Sequence, residues 1–539
     1  MLREGRRLRR RGDDMTGSSM VDGRRATWRA LSAALVLVAA VAIWRTATVF
    51  SATVDEPAHI AAGVELLTGG RYAYDLPHPP LGRIAAAIGP IAEGARFTGA
   101  PGVFDEGTAI LGAGRQYVRR LAAARHGEMV FFLVLAAAVW SWGTSLMGEA
   151  GGCIATLLLV TNPNVLAHAG LATTDIACAA TTVLALFAGV RWLERATWPR
   201  TVALGLTVGL AIASRLSAIG FVGLSLLAIY TLRGVAIKSW LAVGVRRTEM
   251  LGQLLATACV AAIAVMAVYG FHAAAFVDGV RTFFLHGSSG HPTFLLGKPG
   301  SRGWWYYYPV ALLVKTPIPL LLLTIVGAWA AGRTLRVDRG WQAVAPLAAA
   351  LPMLALAMLV RVDLGVRLVL PIYPLMAIVA AYGVLELSSA AWGRTSIVLA
   401  WALVLTAVVI PIRVHPDHLA YFNALAGAHP EHVLVDSNLD WGQDLYRLRD
   451  TLRARGVRDS VRVAYFGTSD LGAAGVPRAR VLGLREPATG WIAASETFLA
   501  GEWVGRAYAW LLNYPPVARI GPSMRLWYIP DAARQSSLH

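Results

Sequence analysis

Charge is scarce in this sequence. Asp, Glu, Lys and Arg make up 15% of its 539 residues, while 56% are hydrophobic. A soluble domain carries about 25% charged residues. One globular core in water cannot accommodate this composition, so lipid must solvate much of the surface. Cysteine is rarer still. Cys153, Cys178 and Cys259 all fall in apolar runs, which excludes a disulfide framework or a zinc spacing and leaves them as small buried hydrophobes. No internal repeat and no metal-ligand cluster is evident. The net charge is +17, from 49 basic and 32 acidic residues. In a soluble chain that excess would suggest nucleic acid. Here Arg3, Arg6, Arg7, Arg9, Arg10, Arg11, Arg24 and Arg25 crowd the N-terminus before an apolar run. That is an orientation signal, with membrane lipid as the partner.

A spanning helix needs about 20 mostly apolar residues. The windows 29–49, 127–147, 151–169, 172–192, 200–213, 216–232, 250–270, 308–331, 341–360, 366–386 and 395–412 meet this need, the fifth and sixth interrupted by Arg215. With the N-terminus in the cytoplasm, the inner loops hold Arg195 and Arg200; Arg233, Lys238, Arg246 and Arg247; Arg333, Arg336 and Arg339; and Arg394. This is the bias expected of inner loops. The expected fold is a polytopic α-helical membrane protein with about eleven spans. Its divisions are a basic cytoplasmic segment 1–28, a transmembrane domain 29–412 with long outer loops 50–126 and 272–306, and an extracytoplasmic α/β domain 413–539. The first apolar run also fits a signal peptide; it is read as a retained first helix because the best chemistry follows it.

In the first outer loop, Glu56-Pro57 starts a helix. Ile60, Val64 and Leu67 recur at helical spacing, with His59 and Glu65 on other faces, suiting a membrane-surface helix that Gly69-Gly70 ends. A second helix follows Pro79-Pro80, with Arg83 in its first turns. In the tail, 432–435 reads as a strand, Trp441 to Arg455 as a helix and Val461 to Phe466 as another strand.

Two constellations can carry chemistry. Asp55-Glu56 stands at the outer end of the first span, as helix cap or as general base; adjacent acids diverge, so only one would face a substrate. His78-Pro79-Pro80-Leu81-Gly82-Arg83 is a stiff turn that fixes His78 and Arg83.

Asp55-Glu56, His59, Gly63, Gly69, Tyr72 and His78-Pro79-Pro80-Leu81 together resemble the first outer loop of the protein O-mannosyltransferases. These belong to the C-type, polyprenyl-phosphate-dependent glycosyltransferases. Thr173-Thr174-Asp175 is similar to the family's second-loop acid. Gly303-Trp304-Trp305-Tyr306-Tyr307-Tyr308 with Lys315-Thr316-Pro317, and Gly365-Val366-Arg367 with Leu370-Pro371-Ile372-Tyr373-Pro374, resemble later stretches. Tyr421-Phe422-Asn423 and Asp436-Ser437-Asn438-Leu439-Asp440-Trp441-Gly442-Gln443-Asp444 resemble bacterial phospholipid-carrier-dependent members. Arginine stands at Arg83 and Arg215 where members often carry lysine, and the tail is not the repeat-type domain of the eukaryotic enzymes.

The resemblance implies inverting transfer of mannose or a similar sugar from a polyprenyl phosphate to a hydroxyl of a protein or glycan. Asp55 is the implied base, with Glu56 and Asp175 beside it in the catalytic set. His78, Arg83, Arg215, Lys315 and Arg367 are the implied donor-phosphate ligands. His59, His291 and Trp304 would face acceptor or sugar. The scheme requires no metal or cofactor. Several of these residues have plainer readings: Lys315 can snorkel, Arg367 can pair with Asp363, Arg215 can sit in a reentrant bend, and Trp304 to Tyr308 can form an aromatic belt. A transporter or flippase of a lipid-linked sugar is the rival function. It would show paired halves with broken helices, which this sequence lacks. A membrane-anchored scaffold would leave both constellations unexplained.

Overall fold

The computed structural model describes residues 2–240, 246–336 and 340–531; the side chains of 2–22 and 286–289 lie outside the described set. The six arginines between positions 3 and 11 therefore carry no structural statement. Among the described residues, eight helices are long and apolar enough to cross a membrane. The sequence windows beyond those eight also meet helices. Residues 151–169 extend past a break at Gly148 (φ 74°) in the long Arg115–Val160 helix. Trp198–Ser214 and Ile372–Leu387 are 17 and 16 residues long.

Burial ranks these helices. The apolar window of Thr174–Glu194 is 78% buried and that of Arg247–Val268 only 17%, so the former is central and the latter faces lipid. Cys153 and Cys178 are buried as expected, but Cys259 is exposed because its helix is peripheral. Small residues let backbones meet. A Cβ on Gly327 would lie 1.8 Å from the Val379 carbonyl oxygen, the close approach typical of membrane helix pairs.

The segment read as the first outer loop folds into the helices Glu56–Gly69, Pro80–Ala92 and Val103–Leu111. Every residue from Glu56 to Glu65 is buried. It is therefore no membrane-surface helix. Its polar groups are answered from within: Glu65 accepts the amides of Ala73 and Tyr74 and the Arg71 guanidinium. Gly70, at φ 66°, ends the helix as expected.

The tail holds a five-stranded sheet. Its strands β3 (Val461–Ala464), β4 (Ala479–Val481), β5 (Gly490–Ser495), β6 (Ala518–Ile520) and β7 (Met524–Ile529) follow a two-stranded hairpin, β1 (Thr293–Leu295) and β2 (Lys298–Gly300). The sheet order is β4-β3-β5-β7-β6, with β3 parallel to β4 and β5, and the β5–β7 and β7–β6 pairs antiparallel. The tail helix covers Leu445–Ala454, beginning after Trp441. Residues 432–435 form no strand. Leu434 and Val435 are buried against the membrane half, and the Leu296 amide donates to the Val433 carbonyl without a ladder forming.

The tail is tied to the membrane half at its active-looking loops. The amides of Ser51 and Val54 donate to the carbonyls of Gln443 (3.1 Å) and Trp441 (3.0 Å). Gly365, at φ 89°, lets the 363–367 loop meet residues 437–438; a Cβ there would lie 2.4 Å from Ser437 Oγ. Gly365→Ala combines a left-handed backbone with a clash. We expect it to cost about 1–3 kcal/mol, read as a lower Tm of the detergent-purified protein.

Candidate active site

Asp55 occupies the N-cap position of the Glu56–Gly69 helix, yet its side chain makes no capping bond. It is 25% exposed and accepts instead from Arg367 Nη1 at 2.7 Å. Arg367 stands on the short turn Val366–Val369 that follows Gly365. Its Nε donates to the Leu364 carbonyl, and its guanidinium lies 4.3 Å from the centre of the Trp441 ring, a cation–π contact. Arg367 makes no ion pair with Asp363. That carboxyl accepts the Trp304 amide, and burial pushes it up to about 7.

On its other side, Trp441 meets the edge of His168 (ring centroids 6.2 Å apart). His168 Nδ1 lies 3.7 Å from Asp175 Oδ2. Asp175 also accepts from Thr173 Oγ1 and from Arg215 Nη1. Arg215 lies in the extended link between the Trp198–Ser214 helix and Ser217–Ile237. The result is two carboxylate–guanidinium pairs, Asp55–Arg367 and Asp175–Arg215, bridged by Trp441 and His168. Asp55 is the partly open member; Asp175 is buried.

The other expected site residues are placed differently. Glu56 is fully buried and faces away from Asp55. It takes Arg125 bidentately at 2.7 Å on both oxygens, with the amides of Thr53 and Ala172. Arg83 is equally enclosed. Its donors go to His59 Nδ1, Tyr72 Oη, the Asp75 carbonyl and the Asp75 carboxylate. His78 Nδ1 lies 3.0 Å from the same carboxylate. Burial opposes charge on Asp75, but His78 and Arg83 hold it far below the usual carboxylate range. Because Arg83 donates to His59 Nδ1, the imidazole proton sits on Nε2. Burial, then Arg83 and His78, keep His59 well below its ordinary pKa, hence neutral. Arg83 and His78 thus orient His59.

Lys315 is buried and turned to the tail, donating to the carbonyls of Leu419 (2.7 Å) and Asn438 (2.6 Å) over the Phe422 ring. Trp304 is half-buried beside Asp363. His291 packs edge-on against Trp503, ring centroids 4.7 Å apart. Among the described residues, no group of three or more His, Cys, Asp and Glu could hold a metal.

Sequence reasoning missed His168, Trp441 and Arg125 as parts of this centre. Trp441 lay in a noticed motif, but nothing local tells that its ring lies beneath a guanidinium 74 positions earlier in the chain.

Residues 118–269 match the profile of the dolichyl-phosphate-mannose-protein mannosyltransferase family. No curated protein matches the chain. Among solved structures, ArnT from Cupriavidus metallidurans in its apo state shares 14% identity over 93% of this chain and 98% of its own, with a TM-score of 0.53. The same protein bound to undecaprenyl phosphate shares 16% identity over 74% and 67%, with a TM-score of 0.50. The chain therefore has the fold of the C-type, polyprenyl-phosphate-dependent glycosyltransferases, and its residues 118–269 carry the sequence profile of the dolichyl-phosphate-mannose-protein mannosyltransferases.

Proposed function

We propose that the protein transfers a sugar, mannose or a similar hexose or pentose, from a polyprenyl phosphate to a hydroxyl acceptor on the outer face of the membrane. The observation that carries this reading is Asp55: an acid at a helix start that does not cap the helix, remains partly open, and is steered by Arg367. The ArnT structure bound to undecaprenyl phosphate supports a polyprenyl carrier.

The acceptor oxygen attacks the anomeric carbon as the bond from that carbon to the phosphate oxygen breaks. Asp55 takes the hydroxyl proton through the carboxylate oxygen that Arg367 leaves free. The phosphodiester of the donor carries one negative charge and leaves as a monoester dianion. Arg367 and Arg215 are the cations that meet this added charge. Attack from the face opposite the leaving group inverts the anomeric centre. Asp175 holds Arg215 and in this reaction is the carboxylate that stabilises an oxocarbenium-like transition state. His59 offers its Nε2–H to sugar or acceptor. Arg83, His78, Glu56 and Lys315 support this set from behind. The reaction as written needs no cofactor besides the lipid-linked donor. The N-terminus then lies in the cytoplasm and the tail, residues 413–539, outside.

The test is sugar transfer by the purified protein in lipid. Radiolabelled polyprenyl-phosphate sugars are offered with a membrane and cell-wall extract as acceptor. Label should enter the acceptor with one donor, and NMR of the product should show an inverted anomeric centre. Failure with every donor, or movement of intact donor across the bilayer without transfer, would replace this reading by the transporter.

A further inference from the structure

Beside the Asp55 centre lies a cluster in which only His291 has so far been given a role. Trp503 is 47% exposed, although it is held in a left-handed backbone conformation (φ 69°). Its Nε1 donates to Asp436 Oδ2 at 3.4 Å, its ring edge meets His291, and the ring tilts against Phe466 at 6.0 Å. Phe466 packs in turn with Trp441 and Val54. The exposed indole is thus linked through Phe466 and Trp441 to Arg367, the partner of Asp55. Asp436 is also left-handed (φ 53°), a conformation costly for a non-glycine residue and retained only where the surroundings impose it.

Behind the indole are acids that each have a buried oxygen without a donor. Glu502 is 2% exposed and its Oε1 has no partner; Asp363 is as buried and its Oδ1 has none. Burial, together with Asp436, Asp440 and Asp363, lifts the Glu502 carboxyl well above the usual range. Arg367 acts on Asp436 against the effect of burial, so the cluster borders the catalytic pair. Buried carboxyl oxygens without partners are costly, and a ligand rich in donors would satisfy them.

We propose that Trp503, Asp436 and Glu502, with His291 at the edge, form the acceptor subsite, and that its acceptor is a carbohydrate. A pyranose offers an apolar C–H face to an indole and a ring of hydroxyl donors to carboxyl oxygens. A Ser or Thr in a peptide offers one hydroxyl and no comparable C–H face for the indole. The proposal rests on the transferase reading above, and it names the substrate class that reading leaves open.

Two measurements test it with the full-length protein in lipid. The first is binding, without donor, of a soluble mannotriose probe and of a threonine-containing peptide, followed by ligand-observed NMR. The oligosaccharide should bind to wild type and lose about tenfold in affinity with Trp503→Ala, while Trp503→Tyr retains most of it. The second is transfer kinetics, where Trp503→Ala should raise the acceptor KM rather than the donor KM. No oligosaccharide binding by wild type, peptide binding that depends on Trp503, or a Trp503→Ala effect equal on both KM values would overturn the subsite. Oligosaccharide binding that depends on Trp503 without transfer from any donor would keep the subsite and defeat the transferase reading.

Discussion

Asp55→Asn is expected to lower the transfer rate by about two to four orders of magnitude. Asparagine keeps the shape of the side chain and an oxygen for Arg367 Nη1, so the wall of the site should stand. It cannot accept the acceptor's proton. The loss should fall on kcat, with little change in the donor KM, because the proposed reaction assigns the phosphate to Arg367 and Arg215. A cap role predicts a different result. Loss of a cap costs stability and would lower Tm, but the helix receives no bond from the Asp55 side chain in the first place. Transfer kinetics with donor in excess, beside a thermal melt, decide the matter. Undiminished kcat in the variant would remove Asp55 from the chemistry.

The neighbouring acid should behave in the opposite way. Glu56→Ala is expected to cost about 3–5 kcal/mol, the usual result of breaking a buried ion pair by removing one partner. Arg125 would keep the carbonyls of Ala47, Phe50 and Ser51 but would lose the carboxylate that pairs with it. The amides of Thr53 and Ala172 would lose their acceptor as well. Low yield, a depressed Tm and rapid proteolysis of the first outer loop should follow, whatever substrate is present. A variant of normal Tm that merely lacks transfer would instead return Glu56 to the catalytic set. Side by side, the two substitutions separate an acid used for chemistry from an acid used for architecture.

That division was only half legible in the sequence. Both acids, the helix start and the glycine stop could be read from local residue types. Which acid stays partly open depends on Arg125, distant in the chain, and on Arg367, more distant still. The same holds for cations. Charge alone suggested that Arg83 and Lys315 would meet a phosphate, but hydrogen-bond geometry turns one to Asp75 and His59 and the other to backbone carbonyls of the tail. Arg215 was easier, because a charge interrupting two apolar windows marks a break, and the break is where it lies. The apolar periodicity of residues 56–67 reported a helix correctly but not its surroundings. Burial of its polar residues comes from neighbouring helices that no local pattern reveals. The stretch 432–435 had strand-like residues and no strand to pair with.

The contact between Lys315 and the tail bears on how the protein comes into being. Its ammonium ends among the carbonyls of Leu419 and Asn438, and Val54 near the start of the chain is held by the carbonyl of Trp441. A nascent chain stopped after the last long apolar helix would have every spanning segment but no finished site. Lys315 would lack its acceptors and Arg367 the ring on which it rests. Completion of the Asp55–Arg367 site therefore waits on synthesis and folding of the final segment.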